Sequence, residues 1–186
     1  MDNTLSSRLE RHLLWINGED GGERFRATDL RDAALRYVDL RHADLHGINL
    51  HNADLCYADL RHADLYGANL RYADLRHADL RYADLRCVGL RNADLYNADL
   101  RHADLYGANL RKADLRKADL RKANLDFSSG IPFHCGGTRI KLDKRAFAQI
   151  VYHLVNQDWQ DEVAREFVNS IPRNIAEMFK QYRGDI

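Results

Sequence analysis

The chain has 186 residues and equal numbers of basic and acidic side chains, 28 of each, so its formal charge is zero. That length suits one domain with appendages. No run of about 20 apolar residues occurs, so no membrane span is predicted, and the N-terminus shows no charged, apolar and cleavage series of a secretory signal. Cys56, Cys87 and Cys135 are scattered and odd in number, which predicts free thiols in a reducing cytosol rather than a disulfide framework.

Residues 4–16 are predicted as an amphipathic helix, with Leu5, Leu9, Leu13 and Ile16 on one stripe. Ser7 and Glu10 have capping-box spacing, and Asn17–Gly18 is a stop signal. A loop follows to residue 24. Phe25 lies in register with the leucines that come next and is expected to open the first coil. The helix is expected to cover the open end of the fold that follows, where apolar interior and unpaired strand edges otherwise face water.

From Arg26 to Leu125 one five-residue phrase is repeated twenty times, from RATDL to RKANL, with leucine at every fifth position from Leu30. A period of five scatters leucines around a helix and alternates them across a flat strand. A chain that turns a corner every five residues points every leucine inward, and four corners close one coil. A second period of twenty supports this. HGINL, YGANL, RCVGL and YGANL recur at 46–50, 66–70, 86–90 and 106–110, each following an R(H/Y)ADL block. Twenty blocks then make about five coils, a rod roughly 24 Å long at the spacing of parallel strands, about 4.8 Å.

The phrase A(D/N)LXX resembles the motif of the pentapeptide-repeat family. It runs through seventeen uninterrupted blocks from RHADL at 41–45, with Ile48 and Val88–Gly89 as the clearest departures. The resemblance implies a mainly β fold, a right-handed quadrilateral parallel β-helix over 25–125, with an N-terminal capping segment at 1–24. Within each block the leucine fills the interior and the residue two before it, mostly alanine, fits the narrow coil. Thr28, Val38, Ile48 and Val88 are expected to swell the coil locally. Asp or Asn before the leucine is expected to bond nearby backbone, stacked Asn to form a ladder, and the other two positions to face solvent.

Residues 126–186 are predicted as a C-terminal helical module. DFSSGIPFHCGGT is a linker or irregular last coil, Ile140 and Leu142 alternate as a short strand, and three helices follow. Phe147, Ile150 and Leu154 lie on one face of the first. Trp159 and Phe167 belong to the second, and Met178 and Phe179 to the third. Gyrase-inhibiting members of the family dimerise through C-terminal elements. By resemblance, these residues are expected to cap the rod and join two chains.

No catalytic arrangement stands out, and neither a cofactor nor a metal site is expected. His42, His62 and His102 share a column with Tyr82, but no carboxylate or cysteine completes a ligand set. His134–Cys135 is a lone pair, and Gly136–Gly137–Thr138 lacks the ending of a phosphate loop. The outward charges carry more information. Arg41, Arg61, Arg81, Arg101 and Arg121 form one column, with the Asp44, Asp64, Asp84 and Asp104 column placed on the same face. Lys112, Lys117 and Lys122 add cations to the last coil. From Arg26 to Leu125 there are 17 Lys or Arg against 15 Asp. Two readings follow: an alternating surface of screened ion pairs, or a guanidinium ladder for a repeating anion. The expected function is that of a non-enzymatic interaction protein. It is either an inhibitor of a nucleic-acid enzyme of topoisomerase type, acting through a duplex-sized rod, or a scaffold that binds another protein. The third reading is direct nucleic-acid binding through the arginines. The resemblance to topoisomerase-binding members extends to the rod and not to their negative charge.

Overall fold

The computed structural model describes residues 4–26, 29–130 and 140–142. The first element is helix α1, Leu5–Asn17. Its cap is Thr4, whose hydroxyl accepts from Ser7 N at 3.3 Å. The expected Ser7–Glu10 box is therefore not the cap, because Ser7 already lies inside the first turn. Gly18 ends the helix at φ 72, a left-handed conformation suited to glycine, and its N–H reaches Leu14 O and Trp15 O. Gly22 crosses the end of α1 so closely that a Cβ would collide with the backbone of Leu14 and Trp15.

The inward stripe of α1 differs from the predicted one. Leu5 and Leu9 pack against the core, but His12 is the buried residue and Leu13 is 42% exposed. Positions 5, 9 and 12 follow the helical repeat more closely than 5, 9 and 13. His12 Nδ1 accepts from Phe25 N at 3.1 Å. Phe25 is itself buried, and its carbonyl accepts from Asp44 N, so it joins α1 to the first coil.

Beyond Asp29 each bridge joins residues twenty apart in parallel, from Asp29↔Asn49 to Asn109↔Ser129. Four blocks thus make one coil. The block Arg61–Leu65 shows how the sequence satisfies its own backbone. Ala63 N donates to Leu60 O across the corner, Asp64 N to Ala43 O in the preceding coil, and His62 N and Leu65 N to Arg81 O and Asp84 O in the next. Arg61 N donates to Asp59 Oδ1 at 3.2 Å. All five N–H groups are paired, as a stacked fold requires. The aspartate is needed because the first corner amide has no backbone acceptor.

Every corner also needs a left-handed residue at its second outward position. Among the described residues, seventeen other than glycine have positive φ, including Tyr57, His62, Tyr82 and Lys117. Combined with the bond from the alanine N–H back to the leucine carbonyl, this is the signature of a type II turn.

Leucines from Leu35 to Leu125 are buried, and alanines from Ala43 to Ala123 fill the space beside them. The ladder between coils is unbroken at Ile48 and Val88. Both are fully buried, and their carbonyls still accept from Asn69 N and Asn109 N at 2.9 Å. The two lie in one column that alternates with Ala68 and Ala108, so each large side chain has a small neighbour above it. The coil geometry also runs one block past Leu125. Ser128 takes the alanine position, its Oγ donating to Leu125 O at 2.7 Å, and Ser129 continues the bridges. Lys141 then bridges Asp119, and Ile140 and Leu142 pack against the core. No described helix is long and apolar enough to cross a membrane. The three predicted C-terminal helices lie outside the described residues.

Candidate interaction surface

Outward side chains form columns with a twenty-residue period, and neighbours in a column are one coil apart. Arg41, Arg61, Arg81, Arg101 and Arg121 are brought together in one such column. Their partners are not the Asp44 column. Each arginine turns back onto the aspartate two residues before it. Arg61 Nε donates to Asp59 Oδ1 at 2.8 Å and Nη2 to Asp59 Oδ2 at 2.6 Å, and Arg81 forks onto Asp79 in the same way. A longer contact joins the guanidiniums of Arg41, Arg61, Arg81 and Arg101 to the next coil, as from Arg61 to Asp79 at 3.5 Å. Acids and bases thus alternate from Asp39 to Arg121, and the guanidiniums are occupied.

The carboxylates respond to this pairing. At Asp74 and Asp119 the guanidiniums of Arg76 and Arg121 hold the carboxyl below the usual aspartate range against a smaller effect of burial. At Asp39, Asp79 and Asp84 burial pulls upward most strongly, but the arginine fork and the backbone N–H together outweigh it, and these too titrate low.

Rings stack beside the ion pairs. His42 and His62 lie 4.8 Å apart between centroids, His62 and Tyr82 5.0 Å, and Tyr82 and His102 4.6 Å, all nearly parallel. Trp15 of α1 meets His42 edge-on at 6.5 Å. A shorter stack runs Tyr37–Tyr57–His77. These imidazoles lie parallel along the rod and do not converge on a point where one ion is held. Burial lowers the pKa of His42, assisted by the nearby His62.

Asp54, Cys56 and Asp74 place ligand atoms within 4.8 Å of one another. The carboxylates are engaged by Arg36 and Arg76, and burial pushes the Cys56 thiol up. Its thiolate is disfavoured, so the trio has the properties of an ion-paired corner rather than of a metal centre.

Lys112, Lys117 and Lys122 are exposed but occupy three successive corners of the last coil, so they do not form one patch. Lys117 lies over the Tyr96 ring at 4.9 Å. Phe147, Ile150, Leu154, Trp159, Phe167, Met178 and Phe179 lie outside the described residues. Arg71, Arg91 and Arg111 form a further outward column that is not among the expected interaction residues. They were legible as arginines that follow Asn69, Gly89 and Asn109 where most blocks carry Asp.

The family model for pentapeptide repeats matches eight copies, over residues 22–47, 48–86, 58–95 and 89–126. No curated protein matches the chain. Among solved structures, alr5209, a pentapeptide repeat protein from Nostoc PCC 7120, is 33% identical, with 75% of this chain and 96% of that chain covered and a TM-score of 0.49. HetL from Nostoc sp. strain PCC 7120, involved in heterocyst differentiation regulation, is 29% identical over 57% of this chain and 61% of that one, with a TM-score of 0.33. QnrB1, a plasmid-mediated fluoroquinolone resistance protein, is 22% identical over 72% and 73%, with a TM-score of 0.40.

Proposed function

Because the chain belongs to the pentapeptide-repeat family, whose members form right-handed β-helices, we propose that it is a non-enzymatic cytosolic interaction protein, a rigid scaffold that presents a patterned rod to a protein partner. In this reading the rod is a quadrilateral of about five coils, closed at one end by α1. The observation that carries the proposal is the fork of Arg41, Arg61, Arg81, Arg101 and Arg121 onto the aspartates before them. Along this column the surface alternates in sign and is held in place by bidentate contacts, which favours recognition by shape and pattern. The same pairing works against the two electrostatic alternatives. A duplex mimic that modulates a topoisomerase-like enzyme needs an acidic face, and these carboxylates are neutralised. Direct nucleic-acid binding through the Arg41 column needs unoccupied guanidiniums.

The test is a pull-down from bacterial lysate with and without nuclease, read by mass spectrometry. A near-stoichiometric protein partner that survives nuclease supports the scaffold. Loss of all recovered protein on nuclease treatment overturns it.

The segment 126–186 is assigned the remaining roles of capping and self-association. Deleting 143–186 is expected to leave one chain per particle in light scattering where the intact protein has two. An intact chain that is already monomeric refutes the dimer.

A further inference from the structure

Thirteen arginines lie between Arg31 and Arg121. Ten form ion pairs with aspartate: Arg31, Arg36, Arg41, Arg61, Arg76, Arg81, Arg86, Arg101, Arg116 and Arg121. The other three, Arg71, Arg91 and Arg111, have no carboxylate within ion-pair distance among the described residues, and all three belong to one column. The cause is local. At the corners that form forks, the residue two before the arginine is aspartate. Here it is Asn69, Gly89 or Asn109. The column contains its own control: in its first coil Asp29 is retained, and Arg31 pairs with it at 2.9 Å.

We infer that this acid-free strip is a binding site for the phosphate backbone of a nucleic-acid strand. The three exposed guanidiniums stand one coil apart and span about 10 Å at strand spacing. Lys112, exposed at the last of these corners, adds a fourth cation. An unoccupied guanidinium fork matches phosphate geometry. The remaining side chains suit a nucleotide chain better than an acidic polypeptide. Tyr72, adjacent to Arg71, is half-exposed and offers a ring to a base. The amides of Asn49 and Asn69, joined by a 3.0 Å bond, add neutral hydrogen-bonding groups. Gly67 carries no side chain to obstruct approach, and a Cβ there would meet nothing within 4 Å. Acids border the strip: Asp74, Asp94 and Asp114, three residues beyond the arginines, are engaged by Arg76 and Arg116, and Asp32, bonded to Asn52, and Asp126 lie at its ends.

This inference goes beyond the protein-partner reading and does not depend on it, since purified components test it. The probe is a fluorescein-labelled thymidine 15-mer, titrated with the full chain and followed by anisotropy. Four cations on a single strand predict a log–log salt slope of about −3, or roughly fiftyfold weaker binding at 200 mM than at 50 mM salt. Arg71→Gln/Arg91→Gln/Arg111→Gln is expected to weaken binding at least tenfold and flatten the slope. A charge-neutral control at a paired corner, Asp79→Asn/Arg81→Gln, is expected to stay within twofold. Asn69→Asp/Gly89→Asp/Asn109→Asp provides a second route should the triple arginine variant not fold. It supplies the missing carboxylates, so the arginines fork inward and binding is lost. No binding of the 15-mer at 50 mM salt overturns the inference. So does binding that survives the folded variants. Displacement of the 15-mer by a 15-residue polyglutamate at equal or lower concentration also overturns it and points to an acidic protein segment instead.

Discussion

At the scale of the residue, the second outward position at each corner sets a conflict between backbone and side chain. The left-handed conformation is unfavourable for an L-residue by roughly 1–2 kcal/mol, yet tyrosine, histidine and lysine hold it repeatedly. Stacking is the compensation where rings recur. Tyr82, at φ 60, lies between His62 and His102. Tyr82→Ala removes both contacts and keeps the strain, whereas Tyr82→Gly removes the contacts and relieves it. The glycine variant is therefore expected to be more stable than the alanine variant by about 1 kcal/mol, measured by denaturant melts. An alanine variant as stable as the glycine variant would show that the corner carries no strain. The left-handed position was hard to read in the sequence for the same reason. Gly47, Gly67 and Gly107 suit it and Asn52, Asn92 and Asn97 tolerate it, but Tyr57 and Lys117 give no such signal.

At the scale of the element, α1 depends on a histidine that hydrophobic patterning ignored. His12 is buried, and its Nε2 has no hydrogen-bond partner among the described residues. Burial lowers its pKa most strongly; the Arg41 carbonyl and Asp39 oppose this, and Arg24 and His42 reinforce it. The folded state thus prefers neutral imidazole, whose Nδ1 can accept from Phe25 N. A base with a depressed folded pKa contributes stability above its unfolded value, about 6.5, and loses it as pH falls from there toward the folded value. Docking of α1 is expected to weaken between pH 7 and 5, seen as faster amide exchange in Leu5–Asn17 after correction for intrinsic rates. His12→Gln keeps a carbonyl to accept from Phe25 and cannot titrate, so the dependence should flatten. The same pH dependence in that variant would remove His12 as its origin. The helix itself was legible from its leucines and its Asn17–Gly18 stop. Its inward face was not, because histidine reads as polar and Leu13 as core, while the helical repeat and the Phe25 amide select the histidine.

At the scale of the whole molecule, the leucine period was legible because the same position recurs twenty times, and local accidents cannot mask it. Leu85→Asp, a charge inside the stack, is expected to destabilise by more than about 4 kcal/mol; a soluble variant with unchanged melting would contradict the inward assignment. The charge pattern was less legible. Arg41 is two residues from Asp39 and three from Asp44, so spacing alone leaves the partner open, and the turn geometry makes the choice. That choice gives the rod a collective acid sensitivity. Asp39, Asp74, Asp79, Asp84 and Asp119 all titrate below the ordinary aspartate value. A depressed carboxylate contributes stability above its unfolded pKa, about 3.9, and loses it as pH falls through the folded value. Each pair is partly exposed and individually weak, but the forks repeat along the rod and are lost together. Apart from the earlier α1 step, the melting temperature is expected to fall most steeply below pH 4. Salt at 1 M screens the pairs and should make that fall shallower. Melts at pH 7, 4, 3 and 2 in low and high salt decide the matter: a melting temperature that holds to pH 2 would mean that the leucine core and ladder bonds alone stabilise the rod, with the forks serving only to pattern its surface.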